Sequence, residues 1–307
     1  MKSSNLKINF VYVSMAIFTF SIIFISLFFN PLFSAAETYS SYKLYAADYG
    51  RGFDNGYLVT VDPVTAEVKD IGRLSGIITD FALSPDGVLY GYDTNSYAIV
   101  TIDIYTGTTT IVTYVNWSRP GAGVGIAFSK NGNLYAADGP DLLTIDLSTG
   151  NVSYIGSPGP EGSDVDALAF SPNGILYGVN GGNNSQDYKL YTYDLNDGIQ
   201  TPGIVTGSNI QSLTFTPNGT LLGLDQGINT IDVSGMGDEY LVTIDPTTGT
   251  TGAIGNLKPG WYPSLEAILS QCSIWSDVIA KFQSYVNGQA TWTDVITCYN
   301  CYVKGGC

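Results

Sequence analysis

Three features of the sequence predict an all-β protein whose four-stranded sheets form a closed ring. A nine-residue segment recurs along the chain, each copy resembles a β-hairpin, and the two ends of the repeat array each supply part of one unit. The composition agrees, because the 307 residues include 22 Tyr, 13 Phe and 36 Gly, and aromatic residues favour strands whereas glycine favours the turns between them.

The recurring segment has four clear copies, which end at Tyr90, Tyr135, Tyr177 and Leu222, so successive copies are 45, 42 and 45 residues apart. The first copy reads Ala-Leu-Ser-Pro-Asp-Gly-Val-Leu-Tyr. Its proline presets φ, and its glycine accepts the positive φ of a tight turn. Each copy therefore predicts two strands joined by a hairpin.

A second signature, Thr-Ile-Asp or a close variant, follows each hairpin and precedes a polar turn and a short strand. One period thus holds four strands, and 42–45 residues with four strands is typical of a propeller blade. An active site is built once, whereas this aspartate recurs in every repeat, so we interpret it as a turn residue. The five copies are Asp62, Asp103, Asp146, Asp194 and Asp245.

The ends of the array predict how the ring closes. Residues 42–48 match the second strand of the repeat, and residues 264–269 match a first strand. One blade would then take three strands from the beginning of the array and one from its end, which removes exposed sheet edges. A β-sandwich or an open solenoid would not need such offset ends. The prediction is a five-bladed β-propeller with first strands near 79–84, 124–129, 165–171, 210–216 and 264–269.

The segment Phe-Ser-Pro-Asn-Gly-Ile-Leu-Tyr-Gly-Val at 170–179, with its partial copies, resembles the repeats of extracellular β-propeller proteins, including NHL-like ones. The resemblance covers residues 42–269. It implies the architecture and leaves the activity open, because such propellers serve as enzymes, lectins and scaffolds.

Residues 1–36 have the pattern of an export segment. Lys2 and Lys7 precede 22 uncharged, mainly apolar residues at 8–29, and small residues at 34–36 suit a signal peptidase. A signal peptide is predicted, and a retained N-terminal membrane anchor is the alternative, because 22 residues can span a bilayer. Both place the 37–270 propeller outside the cell or on its surface. Four sequons are candidate sites for a glycoprotein: Asn116, Asn151, Asn183 and Asn218.

The last segment, 271–307, changes to helical spacing and predicts a small two-helix hairpin. Two disulfides would stabilise so small a unit, and a metal site or a redox Cys-x-x-Cys pair remains as an alternative. The segment is similar to short helical pairs that end some archaeal cell-surface proteins. Its four cysteines are Cys272, Cys298, Cys301 and Cys307.

Composition limits the chemistry. The chain has no histidine, which excludes Ser-His-Asp and Cys-His catalysis and His-ligated metals. Its formal net charge of −15 argues against nucleic acid as a partner. No cofactor is implied, apart from a possible Ca²⁺.

Candidate ligand-binding residues come from aligning the first strands on Ala82, Ala127, Ala169, Thr214 and Ala267. The residues just before these positions would form a polar ring at the channel mouth where first strands begin. Such a ring could bind Ca²⁺ or another ligand, or it could supply the carboxylates for hydrolysis. The alternative is that these residues are polar strand ends exposed to solvent, with no binding or catalytic role. The members of the ring are Asp80, Asp164, Asp166, Gln211 and Glu266.

These features favour an extracellular, non-enzymatic binding or cell-surface structural protein. Its expected partner is a surface protein, a glycan or another copy of the chain, and the long loop 226–239 is a candidate contact. Two alternatives remain. One is a carboxylate-dependent hydrolase or lyase acting on extracellular polysaccharide, and the other is a self-assembling surface or filament subunit.

Overall fold

The computed structural model describes residues 42–49, 56–117, 124–156, 165–180, 188–226, 238–257 and 260–269. The regular structure in these ranges is all β-strand, and they include no helix long and apolar enough to cross a bilayer. The predicted export segment 1–36 and the predicted helical module 271–307, with its four cysteines, lie outside the described residues.

Twenty strands form five four-stranded antiparallel sheets, which confirms the predicted five-bladed β-propeller. The chain begins in a closing blade with β1 (Tyr42–Asp48), β2 (Tyr57–Val61) and β3 (Val68–Arg73). Blade 1 follows with β4 (Ile78–Leu83), β5 (Leu89–Asp93), β6 (Ala98–Ile102) and β7 (Thr109–Tyr114). Blade 2 comprises β8 (Val124–Phe128), β9 (Leu134–Asp138), β10 (Asp141–Ile145) and β11 (Val152–Gly156).

The remaining strands continue the same order. Blade 3 comprises β12 (Ala167–Phe170), β13 (Leu176–Asn180), β14 (Lys189–Tyr193) and β15 (Ile204–Val205). Blade 4 comprises β16 (Ile210–Phe215), β17 (Leu221–Asp225), β18 (Tyr240–Ile244) and β19 (Thr251–Asn256). The chain then returns to the closing blade with β20 (Leu265–Leu269), giving that sheet the order β20-β1-β2-β3.

Ring closure is the antiparallel pairing of β20 with β1, from Tyr42 opposite Leu269 to Ala46 opposite Leu265. The Ala47 N–H donates to Ser264 Oγ at 3.1 Å across 217 residues of sequence. The predicted closure by the two ends of the array is therefore confirmed, and β1 has a hydrogen-bonded partner on both sides.

The hairpin turns have the predicted backbone. Their glycines, Gly87, Gly132, Gly174 and Gly219, have φ of 84°, 81°, 85° and 89°, values at which a side chain would be strained. A hydroxyl before each proline position closes the turn; in blade 1, for example, Ser84 Oγ accepts a hydrogen bond from the Val88 N–H at 3.1 Å.

The repeated aspartates make the turn contacts expected of them. Asp62 Oδ1 accepts hydrogen bonds from the Val64 and Thr65 N–H groups at 2.9 and 2.8 Å. The equivalent contact, to the N–H two residues later, recurs at Asp103, Asp146, Asp194 and Asp245. These hydrogen bonds lower the pKa of Asp62, because they favour the charged form of its carboxyl.

Apolar side chains fill the space between neighbouring blades, as in other stacked-repeat folds. Between blade 4 and the closing blade, for example, Leu44, Val59 and Leu265 pack with Leu224 and Leu241, and each is at most 1% exposed. Burying one such side chain stabilises the fold by about 1.5–3 kcal/mol. This packing holds the five inner strands β4, β8, β12, β16 and β20 around the central axis.

Candidate functional site: a cavity in the central channel

A cavity of about 470 Å³ opens where the inner strands reach their hairpin turns. All five blades contribute to its lining. The cavity lies at the opposite end of the inner strands from the mouth that the sequence suggested, because it is lined by the last residues of these strands and by the Ser-Pro-Asn-Gly turns. Its apolar wall includes Leu83, Phe128, Phe170 and Phe215.

The strand register shows which residues are equivalent in the five blades. Ala82 lies opposite Tyr90, Ala127 opposite Tyr135 and Ala169 opposite Tyr177. Thr214 lies opposite Leu222 in the same way, and Glu266 lies opposite Tyr45. The alignment of Ala267 with Ala82 was therefore wrong by one residue, and the counterpart of Ala82 is Glu266.

Glu266 therefore occupies a position that holds a smaller residue in the other blades: Ala in blades 1 to 3 and Thr in blade 4. It lines the cavity and keeps partial access to solvent. Because a repeated residue serves the repeat and an active or binding site is built once, this departure identifies Glu266 as the leading candidate functional residue among those described.

One hydroxyl positions the Glu266 carboxyl. Thr214 Oγ1 donates to Glu266 Oε1 at 3.3 Å and accepts a hydrogen bond from the Ala267 N–H at 3.1 Å. Burial raises the pKa of Glu266 to about 8, although the Thr214 hydroxyl and the Ala267 N–H oppose the rise. At neutral pH the carboxyl therefore mainly keeps its proton.

Asp80 lies behind the cavity wall and is 0% exposed. Its Oδ1 accepts a hydrogen bond from the Phe81 N–H at 2.9 Å, and its Oδ2 accepts one from the Ile126 N–H of blade 2 at 2.8 Å. Burial raises its pKa well above the ordinary value and the nearby Glu266 adds to the rise, whereas the N–H groups of Ile126, Phe81 and Leu168 oppose it. Asp80 therefore joins inner strands and does not itself line the cavity.

Aromatic pairs between blades hold the cavity wall. Tyr90 packs against Phe128 with ring centroids 5.0 Å apart. The equivalent pairs are Tyr135 with Phe170 at 5.4 Å and Tyr177 with Phe215 at 5.3 Å. At the junction of blade 4 and the closing blade, the register places Leu222 and Ala267 at the corresponding positions. Both of these residues belong to the packed core between the two blades.

The rim of the cavity contains one ammonium group among the described residues, that of Lys130, which replaces the proline of the other turns. Lys130 Nζ donates to the Pro172 carbonyl oxygen of the next turn. This contact links the turns of blades 2 and 3 and directs the positive charge to a backbone acceptor.

The other predicted ring members do not join the cavity lining. Gln211 Nε2 donates to Gln226 Oε1 at 2.6 Å, near the start of blade 4's inner strand. Asp166 is half-buried just before β12, where its N–H donates to the Val179 carbonyl oxygen at 2.9 Å. Asp164 lies outside the described residues. The structure therefore brings together Asp80 and Glu266 from the predicted set, and neither Gln211 nor Asp166 with them.

Thr214 and the three phenylalanines were not among the predicted site residues. The repeat alignment contained a signal for them, because the phenylalanines follow the inner small residue in blades 2 to 4. Sequence alone does not show that this position borders a cavity.

A second buried carboxyl lies at the junction of blade 4 and the closing blade. Glu239 is 2% exposed; its Oε1 accepts a hydrogen bond from the Tyr262 N–H at 3.2 Å, and its Oε2 has no hydrogen-bond partner. Burial raises its pKa to about 8, the Tyr262 N–H opposes the rise, and Asp48 and Asp225 add to it. This residue ends the predicted contact loop 226–239, most of which lies outside the described residues.

Two further predictions concern surface chemistry. Among the described residues, no group of three or more Asp, Glu, His or Cys side chains is arranged to hold a metal ion, so Ca²⁺ binding stays a prediction. Of the sequon asparagines, Asn116, Asn151 and Asn218 are exposed, and Asn183 lies outside the described residues. Glycosylation likewise stays a prediction.

No protein-family model matches this sequence, and no curated protein matches it. Similar solved structures do exist. One is a chain of the "Crystal structure of Nidogen/Laminin Complex", with a TM-score of 0.50 and 14% identity, covering 76% of this chain and 100% of that one. Another belongs to "The de novo evolutionary emergence of a symmetrical protein is shaped by folding constraints", with a TM-score of 0.48 and 20% identity, covering 73% of this chain and 98% of that one.

A third is the putative TolB from Agrobacterium tumefaciens, with a TM-score of 0.43 and 11% identity, covering 74% of this chain and 98% of that one. At these identities the likeness concerns the fold alone. This chain is a five-bladed β-propeller.

Proposed function

We propose that this chain is an extracellular, non-enzymatic binding protein that takes a small ligand into its channel cavity. The observation that carries the proposal is the position of Glu266: a carboxyl stands on the cavity where the other blades have Ala or Thr. A cavity of about 470 Å³, lined by apolar side chains together with hydroxyl groups and one carboxyl, has the size of a small-molecule site.

The environment of the two channel carboxyls favours binding over catalysis. Glycoside hydrolysis uses two carboxyls that flank the scissile bond, and both must reach the substrate. Glu266 reaches the cavity, but Asp80 is 0% exposed and both of its oxygens accept backbone N–H groups. A substrate in the cavity would therefore meet one carboxyl from this pair.

The extracellular location is part of the proposal and rests on residues 1–36. A positively charged start, 22 uncharged residues and a small-residue segment precede the propeller. The twenty strands of the five blades lie within residues 42–269.

The proposal is tested by thermal-shift measurements on the purified full-length chain with a panel of small amines, carboxylates, sugars and neutral aromatics. Ala169→Leu, which adds volume to the cavity lining, should abolish any shift that the wild type shows. Ile175→Leu, a change of similar chemistry at a residue that is 43% exposed, should leave it intact. Circular dichroism checks that both variants fold.

Two results would contradict the proposal. One is a shift that survives Ala169→Leu unchanged, which would place binding elsewhere. The other is turnover of a polysaccharide by wild type that Glu266→Gln abolishes, which would favour the hydrolase or lyase.

A self-assembling subunit remains a second candidate because of the outer strand of blade 1. In β7, Ile111, Val112 and Tyr114 are 47%, 38% and 63% exposed, and the strand carries no charge. The outer strand of the closing blade instead carries Lys69, Asp70 and Arg73, which discourage edge pairing. Size-exclusion chromatography and negative-stain imaging of wild type and Ile111→Lys test this candidate, which predicts assemblies that the lysine removes.

A further inference from the structure

We infer that the channel cavity selects a small organic cation, an amine or quaternary ammonium with an apolar body, whose positive charge pairs with Glu266. The inference rests on the proposed function, because it names the class of ligand for that same cavity. It follows from three properties of the described residues: a carboxyl without a positively charged partner, an aromatic wall and a limited volume.

The first property is the lack of a positive partner for Glu266. Its contact is the Thr214 hydroxyl, and the described residues place no Lys or Arg within ion-pair distance of it. A carboxylate deep in a protein is costly without a positive partner. This cost favours the protonated carboxyl in the empty site. A ligand that brings a positive charge offsets the cost and lets the carboxyl ionise, whereas an anionic ligand does not.

The second property is the wall. Phe128, Phe170 and Phe215 line the cavity, and each is fixed by a tyrosine of the preceding blade. Aromatic rings bury the apolar body of a ligand and attract an ammonium group through their π-electrons.

The third property is size and ligand number. The cavity volume of about 470 Å³ is large enough for a small molecule but too small for a macromolecule. A hard divalent cation needs several oxygen ligands, and the described part of the chain offers no group of three acidic side chains that would hold one. The site therefore suits a single positive charge carried on an organic body.

The other groups facing Glu266 agree with this choice. Asp80, on blade 1, is a second acidic group with no positive charge, and burial and the nearby Glu266 raise its pKa. Tyr45 lies opposite Glu266 on β1 as a neutral phenol whose pKa is raised by burial and by Tyr105. Lys130, on the rim, directs its ammonium group to the Pro172 carbonyl. The net charge of −15 favours the approach of cations from a distance.

Cation binding must be linked to proton release. Since burial raises the pKa of Glu266 to about 8, the empty site holds a proton below that pH, and a cation must displace it. Affinity should therefore rise by about tenfold per pH unit as the pH increases towards 8 and then level off. A neutral ligand would not gain affinity over this range.

The experiment uses isothermal titration calorimetry on the full-length chain between pH 5.5 and 8.5. The probe is benzyltrimethylammonium, whose charge does not titrate, and the comparison is neopentylbenzene, its neutral isostere. The expected result is tighter binding of the cation, by about ten- to hundredfold at pH 8, with the pH dependence above. Close to one proton should be released per cation bound at pH 5.5, and this number should fall to about one half near pH 8.

Glu266→Gln keeps the side-chain shape and should remove both the preference for the cation and its pH dependence. Glu67→Gln, a change at an exposed residue paired with Lys69 at 3.4 Å, should change neither. The wild-type comparison of the two probes stands alone if Glu266→Gln does not fold.

Each outcome decides between the two proposals. If neopentylbenzene binds as well as the cation at pH 8, or an anion or sugar from the thermal-shift panel binds in the cavity instead, the inference of a cation is wrong and the proposed cavity function stands. If no small molecule binds and Ala169→Leu changes nothing, both are wrong.

Discussion

Neutralising Glu239 should change how the stability of the propeller depends on pH. The Glu239 carboxyl is 2% exposed at the junction of blade 4 and the closing blade, and one of its oxygens has no hydrogen-bond partner. Burial raises its pKa from the ordinary 4.5 to about 8. In the Glu239→Gln variant a neutral amide of the same shape takes its place.

The sign follows from proton binding. Between pH 4.5 and 8 the unfolded chain has lost the Glu239 proton and the folded chain still holds it, so unfolding releases a proton. The free energy of unfolding of the wild type should therefore fall as the pH rises, by about 1.4 kcal/mol per pH unit from this group. Over the whole window the loss is on the order of 5 kcal/mol.

The assay is urea denaturation of wild type and Glu239→Gln at several pH values from 4 to 9. The two proteins should have similar stability near pH 4, where Glu239 is protonated in both states, and the variant should be the more stable at pH 8. The difference between the two curves isolates Glu239, because Asp80 and Glu266 are present in both. Glu67→Gln, at a side chain that is 60% exposed, is the control and should follow the wild type.

Parallel curves for wild type and Glu239→Gln across this window would refute the reasoning. They would mean that Glu239 ionises in the folded protein as readily as in the unfolded chain, and that the junction contains water or a cation that the described contacts do not include.

Further variants test the inner strands. Asp80→Ala leaves the buried Ile126 N–H without its acceptor and should lower the free energy of unfolding by about 1–3 kcal/mol; Asp80→Asn, which keeps one oxygen, should cost less in the same urea titration. Gly125→Ala brings a Cβ within 2.9 Å of the backbone of β12 and should lower the free energy of unfolding by about 1–3 kcal/mol. Gly132→Ala, at φ 81° in open space, should lower it by about 1 kcal/mol. The midpoints of thermal unfolding of the two variants test this order. Leu265→Ala, at 0% exposure in the closing strand, should cost about 2–5 kcal/mol by urea denaturation.

Equal effects of Asp80→Ala and Asp80→Asn would show that the hydrogen bond to Ile126 is not what stabilises the inner strands. A midpoint for Gly125→Ala above that of Gly132→Ala would mean that β8 and β12 move apart at little cost. A Leu265→Ala variant as stable as wild type would argue that β20 contributes little to closure.

Local turn chemistry explains why the blades were predictable. A glycine determines each hairpin turn, with a proline two residues earlier in three of the four, so Gly87 and its equivalents indicate the turn without any knowledge of the neighbouring blade. The repeat then supplies the number of units, and the mismatch of the two ends supplies the closure. None of these inferences requires knowledge of which side chains of neighbouring blades contact each other.

The register of β20 was not predictable in the same way. The other inner strands are followed by the Ser-Pro-Asn-Gly type of turn, which fixes which residues face each other, but β20 pairs with a strand from the beginning of the chain. Ala267 therefore served as a false marker, and Glu266 was displaced by one position. In a strand one position separates one face of the sheet from the other.

The cavity and the buried acids depend on contacts between blades. Whether the end of the channel is filled depends on the side chains of all five inner strands together, such as Phe128, Phe170 and Glu266. Glu239 follows a stretch that departs from the repeat, so no equivalent residue in another blade indicates that it is buried.

Placing an inner strand at the end of the chain has a consequence for the order of synthesis. Residues 42–257 can form four complete blades and three strands of the fifth as they emerge, but β1 lacks its inner partner until residues 265–269 are made. Joining segments more than 200 residues apart, such as Ala47 and Ser264, carries a large loop-closure entropy and slows folding. Until then the nascent chain exposes the inner edge of β1 in addition to the outer edges of the blades, so chaperone demand should be greatest late in translation.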